Sequence, residues 1–235
     1  MVYFEENITA LTGVFSVPPP PTKYTGQSVF LWFGVEWLGG DYGVLQPVLM
    51  FGPDCCAKNG VGPGEDPDYS TDPYWYLSAQ YVFPDVDGGA YFCECAEGNQ
   101  TFRVRPGDIV NSTMKFDKVQ DTWTVFTSAS SLTAPFQQSS TLLVEHPLND
   151  PSLSFNQLQR EHETWGMAVV EVYDVENAGV QMPQAIWNTT GFVLQAQADD
   201  GILHIPDWRE SSNPNLNATC DEAATCHFDL TQWHA

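Results

Sequence analysis

Two polar side chains interrupt the most apolar stretches of this sequence. Gln46 lies within Gly43-Val-Leu-Gln-Pro-Val-Leu-Met-Phe51, and Glu171 within Ala168-Val-Val-Glu-Val-Tyr173. In an extended chain alternate residues share a face, so Glu171 belongs with Val169 and Tyr173 and opposes Val170 and Val172. A carboxylate in that setting is either a solvent-facing strand residue or a group held in a cleft. The chemistry the two could do is that of one side-chain amide and one carboxylate. Other chemistries lack their residues, for there is no G-x-S-x-G, no Gly-rich phosphate loop and no C-x-x-C pair. The histidines, His146, His162, His204, His227 and His234, are dispersed and are assigned no chemistry. Acidic clusters at Glu65, Asp66, Asp68 and Asp72, and at Asp85 and Asp87, offer the oxygen ligands that calcium takes but not the EF-hand spacing. They read as solvated loops, and no metal or other cofactor is expected.

The elements that must position Gln46 and Glu171 are strands. Short runs rich in Val, Phe, Tyr, Trp and Thr recur with Gly, Pro, Asn and Asp between them, as an antiparallel sandwich or barrel requires. Candidate strands fall at 11–17, 29–36, 44–51, 75–83, 100–104, 109–116, 122–127, 139–144, 168–175 and 191–196. Helix signals are scarce, with one short helical turn or irregular connection expected within 148–164. The prolines at 18–21 act as an extended spacer. The 52–73 stretch, dense in Gly, Pro and Asp, reads as one long loop. No repeat or composition shift divides the chain, so residues 1–235 read as a single all-β domain, with 199–235 as an irregular covering tail.

The charge balance narrows the partners. Asp and Glu number 30 against 8 Lys and Arg, for a formal charge of −22. A polyanion partner needs clustered cations, so nucleic acid is excluded, and no apolar run approaches the roughly 20 residues of a spanning helix. With 43% hydrophobic and 13% aromatic residues the acidity belongs to a folded surface. Five N-x-S/T sequons, at Asn7, Asn99, Asn111, Asn188 and Asn217, point to a glycosylated, secreted, extracellular protein, expected to be a monomer. Six cysteines agree with that compartment. Sequence cannot select among their pairings; the working hypothesis joins Cys220 to Cys226, and Cys55 and Cys56 to Cys93 and Cys95. The start, Met1-Val-Tyr-Phe-Glu-Glu, has neither a basic n-region nor an apolar h-region, so a signal peptide is expected to have been removed already.

In its ordered set of segments the chain resembles the eqolisins, the glutamic peptidases secreted by fungi. Thr12-Gly-Val-Phe-Ser-Val-Pro18 is similar to the family's first strand, and Trp32-Phe-Gly-Val-Glu36, ten residues before Gln46, to its W-x-G-I-D segment and catalytic glutamine. The segment 76–84 resembles the aromatic strand ending in Pro, and Val104-Arg-Pro-Gly-Asp-Ile-Val110 the strand entered through a Gly-Asp turn. The Glu171 segment, followed by Gly191-Phe-Val-Leu, resembles the one that holds the catalytic glutamate. The resemblance implies a concanavalin A-like sandwich of two antiparallel sheets and acid hydrolysis of polypeptides, with Glu171 as base and Gln46 as oxyanion donor. It gives Glu36 the task of orienting Gln46 or its water, and leaves Trp32, Trp37, Trp75, Tyr76 and Tyr81 to line a substrate groove or to fill the core. Three positions depart from the family pattern: Glu36 replaces Asp, Ala168 replaces an aromatic, and Tyr81 stands where a carboxylate is expected. The rival reading is a non-catalytic sandwich that binds glycan or another extracellular partner through an aromatic-lined face.

Overall fold

The computed structural model describes residues 2–5, 7–20, 28–38, 42–52, 75–84, 91–95, 101–131, 137–147, 150–173, 192–198, 209–210, 217–220 and 225–229. Two antiparallel sheets are present. The eight-stranded sheet contains β1 (Val2–Glu5), β3 (Ser28–Trp37), β4 (Val44–Phe51), β5 (Trp75–Pro84), β6 (Tyr91–Cys95), β7 (Phe102–Val104), β11 (Thr164–Tyr173) and β13 (Arg209–Glu210). Its order is β13-β1-β11-β3-β4-β5-β6, with β7 paired to β5 beside β6. The seven-stranded sheet runs β10-β9-β8-β2-β12-β15-β14. It is built from β2 (Ile8–Ser16), β8 (Ile109–Asp117), β9 (Thr122–Ser130), β10 (Gln137–Val144), β12 (Phe192–Ala198), β14 (Asn217–Cys220) and β15 (Thr225–Asp229).

Alternation along the strands builds the core between the sheets. In β8 the even residues Val110, Ser112, Met114 and Phe116 are buried while Asn111, Lys115 and Asp117 are exposed. From the other sheet, the odd residues of β3 meet β2 and β9: Phe33 packs edge-on against Phe15 at 6.4 Å, and Trp37 against Trp123 at 6.0 Å. Burial of rings of this size, each removing on the order of 150–250 Å² from water, is the main stabilising contribution of such a sandwich.

The single helix among the described residues, α1 (Phe155–Glu161), falls inside the stretch where a helical turn is expected. Ser154 caps it by accepting the Gln157 N–H at 3.0 Å, and Phe155 stacks on Trp37 at 5.4 Å, so the helix closes one end of the core. Arg105-Pro106-Gly107-Asp108 forms the turn into β8: the Asp108 N–H donates to the Arg105 carbonyl at 3.0 Å, and Gly107 takes the positive φ of 88° that the third position of a type II turn requires.

One expectation changes. The 199–235 segment is not irregular throughout, because β13 adds to the edge of β1, and the β14–β15 pair extends the other sheet beyond β12. These strands are two to five residues long and lack an alternating apolar pattern, and the strands that β13 and β15 join, β1 and β12, lie far away in sequence. A window of sequence therefore has nothing with which to recognise them. The 52–73 loop lies outside the described residues from residue 53 onward.

Candidate functional site

Strand register places Gln46 and Glu171 on the same face of the eight-stranded sheet, the face opposite the one that packs on the seven-stranded sheet. Gln46 pairs with Gln80 of β5, and because the β3–β4 ladder runs through Trp32↔Val48 and Val35↔Leu45, it lies alongside Gly34. Gly34 in turn pairs with Met167 of β11. Glu171 pairs with Phe30, four positions further along β11 than Met167. Two strands across and four residues along correspond to about 16 Å between the Cα positions of Gln46 and Glu171. Glu36 is closer: it pairs with Val44, two residues from Gln46, a cross-strand diagonal of about 7–8 Å.

The surroundings of Gln46 are tight and mostly apolar. Gln46 is 7% exposed, with Val48 and Met50 continuing its face at 1% and 0%. Its Oε1 is buried with no hydrogen-bond partner. Pro47, which has no N–H, follows at a break in the β3–β4 ladder between the Trp32 and Val35 pairs. Gly34 is required by close approach, since a Cβ there would stand 2.8 Å from the Leu45 carbonyl oxygen, 2.9 Å from Val44 Cγ1 and 3.2 Å from Trp32 Cζ3. The missing side chain leaves room for the Trp32 ring against Gly34.

Sequence reasoning missed two further polar groups on this face. Ser78 and Gln80 are 0% and 2% exposed and alternate with the core residues Leu77, Ala79 and Tyr81. The period-two spacing Tyr76-x-Ser78-x-Gln80 is the signal that could have found them. Ser78 Oγ donates to the Ala79 carbonyl at 3.2 Å. At the end of the row the exposed Arg103 guanidinium lies 5.8 Å from the centre of the Tyr76 ring.

The aromatic residues expected at a groove divide by parity. Trp32 and Tyr76 share the outward face, but Trp37, Trp75 and Tyr81 belong to the core side. Trp37 contacts Trp123 and Phe155, Trp75 packs 5.4 Å from Phe51, and the Tyr81 hydroxyl donates to the Tyr42 carbonyl. Odd and even strand positions cannot serve one groove together, which removes these three from any site on the outward face. Trp32 and Tyr76 are themselves 5% and 2% exposed, so neither forms an open stacking platform for a sugar.

No group of three or more metal-ligating residues occurs among the described residues. The acidic clusters at Glu65 to Asp72 and at Asp85 and Asp87 lie outside them, as do Cys55, Cys56, Asn99 and Asn188. Cys220 and Cys226 are direct cross-strand partners in the β14–β15 pair, a separation that suits a disulfide. Cys95 and Cys93 pair with Gln80 and Val82 at the β5–β6 edge. Asn217 begins β14. No described helix is long and apolar enough to cross a membrane.

No protein-family model matches the sequence, and no curated protein matches it. Among solved structures, scytalido-glutamic peptidase with a peptide-based transition state analogue gives a TM-score of 0.49 at 10% identity, over 97% of this chain and 95% of that one. SCP-B, a member of the eqolisin family of peptidases in complex with the tripeptide Ala-Ile-His, gives 0.47 at 10% identity, over 97% and 94%. Tailspike protein 2 of Escherichia coli O157:H7 bacteriophage CAB120 gives 0.39 at 10% identity, over 85% of this chain and 22% of that one. At 10% identity no side-chain role carries over from any of them.

Proposed function

We propose that the chain is a secreted acid endopeptidase that acts on polypeptide and stabilises the tetrahedral oxyanion through the Gln46 amide. The observation that carries this reading is the buried, unpartnered Oε1 of Gln46. An unmet buried acceptor costs about 1–3 kcal/mol, a cost that an apolar residue at this position would avoid. A bound peptide N–H or a water satisfies Oε1, and Nε2 is then held to donate to the oxygen that gains charge.

Register puts three carboxylates on this face: Glu36, Glu171 and, three strands from Gln46, Glu5. Glu171 has the role that the resemblance implies, but about 16 Å exceeds what two side chains and one water between them span. Glu36, at about 7–8 Å, lies within that span. The register therefore favours Glu36 as the group that shares a water with Gln46 and later returns the proton to the leaving amine, with Glu171 further along the face. The same 16 Å separation favours the second reading, a sandwich that binds polypeptide without cleaving it.

Incubation of the purified full chain with an unfolded protein between about pH 2 and 6, with products read by mass spectrometry, tests the proposal. Cleavage by the parent, with a loss on the order of 100- to 1,000-fold in Gln46→Ala, is expected. A comparable loss in Glu36→Gln but not in Glu171→Gln identifies Glu36 as the base, and the reverse overturns that assignment. A parent that cleaves nothing in this range removes the enzyme and leaves the binding reading.

A further inference from the structure

On the outer face of the seven-stranded sheet, far from Gln46, an exposed benzene ring stands among hydroxyl groups. Phe126 of β9 is 38% exposed. Its cross-strand partners are Thr113 of β8 and Thr141 of β10, and its neighbours along β9 on the same face are Thr124 and Ser128. Its apolar neighbour on this face is the exposed Leu143 of β10, which pairs with Thr124 and so lies on the diagonal away from Asn111. The adjacent position on β8 is Asn111, exposed and paired with Ser128, whose Oγ donates to the Asn111 carbonyl at 3.3 Å. Asn111 and Phe126 thus form a cross-strand diagonal of about 7–8 Å. Asn111 also opens the sequon Asn111-Ser112-Thr113.

We infer that Asn111 carries an N-linked glycan whose first N-acetylglucosamine lies over the Phe126 ring. The distance fits, because a pyranose ring attached to the side-chain nitrogen extends about as far as the diagonal separates the two residues. The chemistry also fits: the C–H face of the sugar covers the ring, and its hydroxyls meet those of Thr113, Thr141 and Ser128. In the transfer step, Asn111 Nδ2 attacks the anomeric carbon of a lipid-linked pyrophosphoryl oligosaccharide. The N–C1 bond forms as the bond from C1 to the pyrophosphate oxygen breaks, the lipid pyrophosphate leaves with the electron pair, and the amide proton passes to a base of the transferase. The step precedes folding, since β8 is paired on both sides, with β2 and with β9, in the finished sheet.

Two measurements on the full chain, secreted from a eukaryotic host, test this. Enzymatic release of glycans in heavy-oxygen water, followed by peptide mass mapping, is expected to mark Asn111 as occupied. An unmarked Asn111, whether or not Asn7 is marked, overturns the site. For the stacking, the glycoprotein trimmed to a single sugar is expected to keep the Tm of the fully glycosylated form, and Asn111→Gln to melt lower by roughly 2–4 °C. In a Phe126→Ser background the Asn111→Gln change should no longer lower Tm. An equal drop in both backgrounds overturns the contact while leaving the modification.

Discussion

At Gln46 the chain holds an amide where a leucine would pack as well, and that contrast gives a test. Gln46→Leu removes the orphaned Oε1 together with the Nε2 donor. Its Tm is expected to equal or exceed that of the parent, because removing an unpaired buried polar group is neutral or favourable, while turnover is lost. A residue that served only the fold would show the opposite pattern, a lower Tm with activity retained. Gly34→Ala tests the neighbouring constraint. Its Cβ would meet the Leu45 carbonyl oxygen at 2.8 Å, and a backbone atom in a paired strand has little room to yield. A loss of about 1–3 kcal/mol in urea unfolding is expected, with any loss of activity following from displacement of Trp32 and Gln46. Gln46 was legible in the sequence as a polar residue in an apolar run. The requirement at Gly34 was not, since it depends on a carbonyl eleven positions away that only the pairing of β3 with β4 brings near.

At the scale of elements, β5 shows how an interrupted edge is completed. β6 pairs with β5 from Gln80 onward and β7 pairs with it up to Leu77, which leaves the Ala79 N–H without a strand partner. Ser140 of β10 reaches across from the other sheet, its Oγ accepting the Ala79 N–H at 3.1 Å. Ser140→Ala strands that donor in the core and is expected to cost about 1–3 kcal/mol, read as a lower urea midpoint with an unchanged slope. β4 was predicted with the bounds the structure gives it, and the other long strands to within a few residues, because each is an apolar or alternating run that must be extended to bury one face. β1, β13, β14 and β15, absent from the expected strands, are short and take their stability from the strands they join.

Across the whole molecule the −22 formal charge is the dominant long-range term. Compact packing brings these charges closer than the unfolded chain does, so the folded state gains more from binding protons. The number bound is then larger in the folded state, the slope of unfolding free energy with pH is negative, and stability rises as pH falls from about 8 towards 5. Thermal melts across that range should show the trend, and added salt should flatten it by screening. A Tm that climbs from pH 5 to 8 at low salt would contradict it. The sequence by itself determined what depends on local pattern: the all-β class, the positions of the long strands, the alternation that buries one face, and the isolation of Gln46 and Glu171 in apolar runs. Tertiary structure alone decided which residues meet. Register sets Glu36, Gly34 and Gln80 around Gln46, shifts Glu171 four positions along the face, and sends Trp37, Trp75 and Tyr81 into the core. The physical reason is that strand alternation is a property of the single chain, whereas register depends on hydrogen bonds and side-chain packing between segments distant in sequence, which no local window contains.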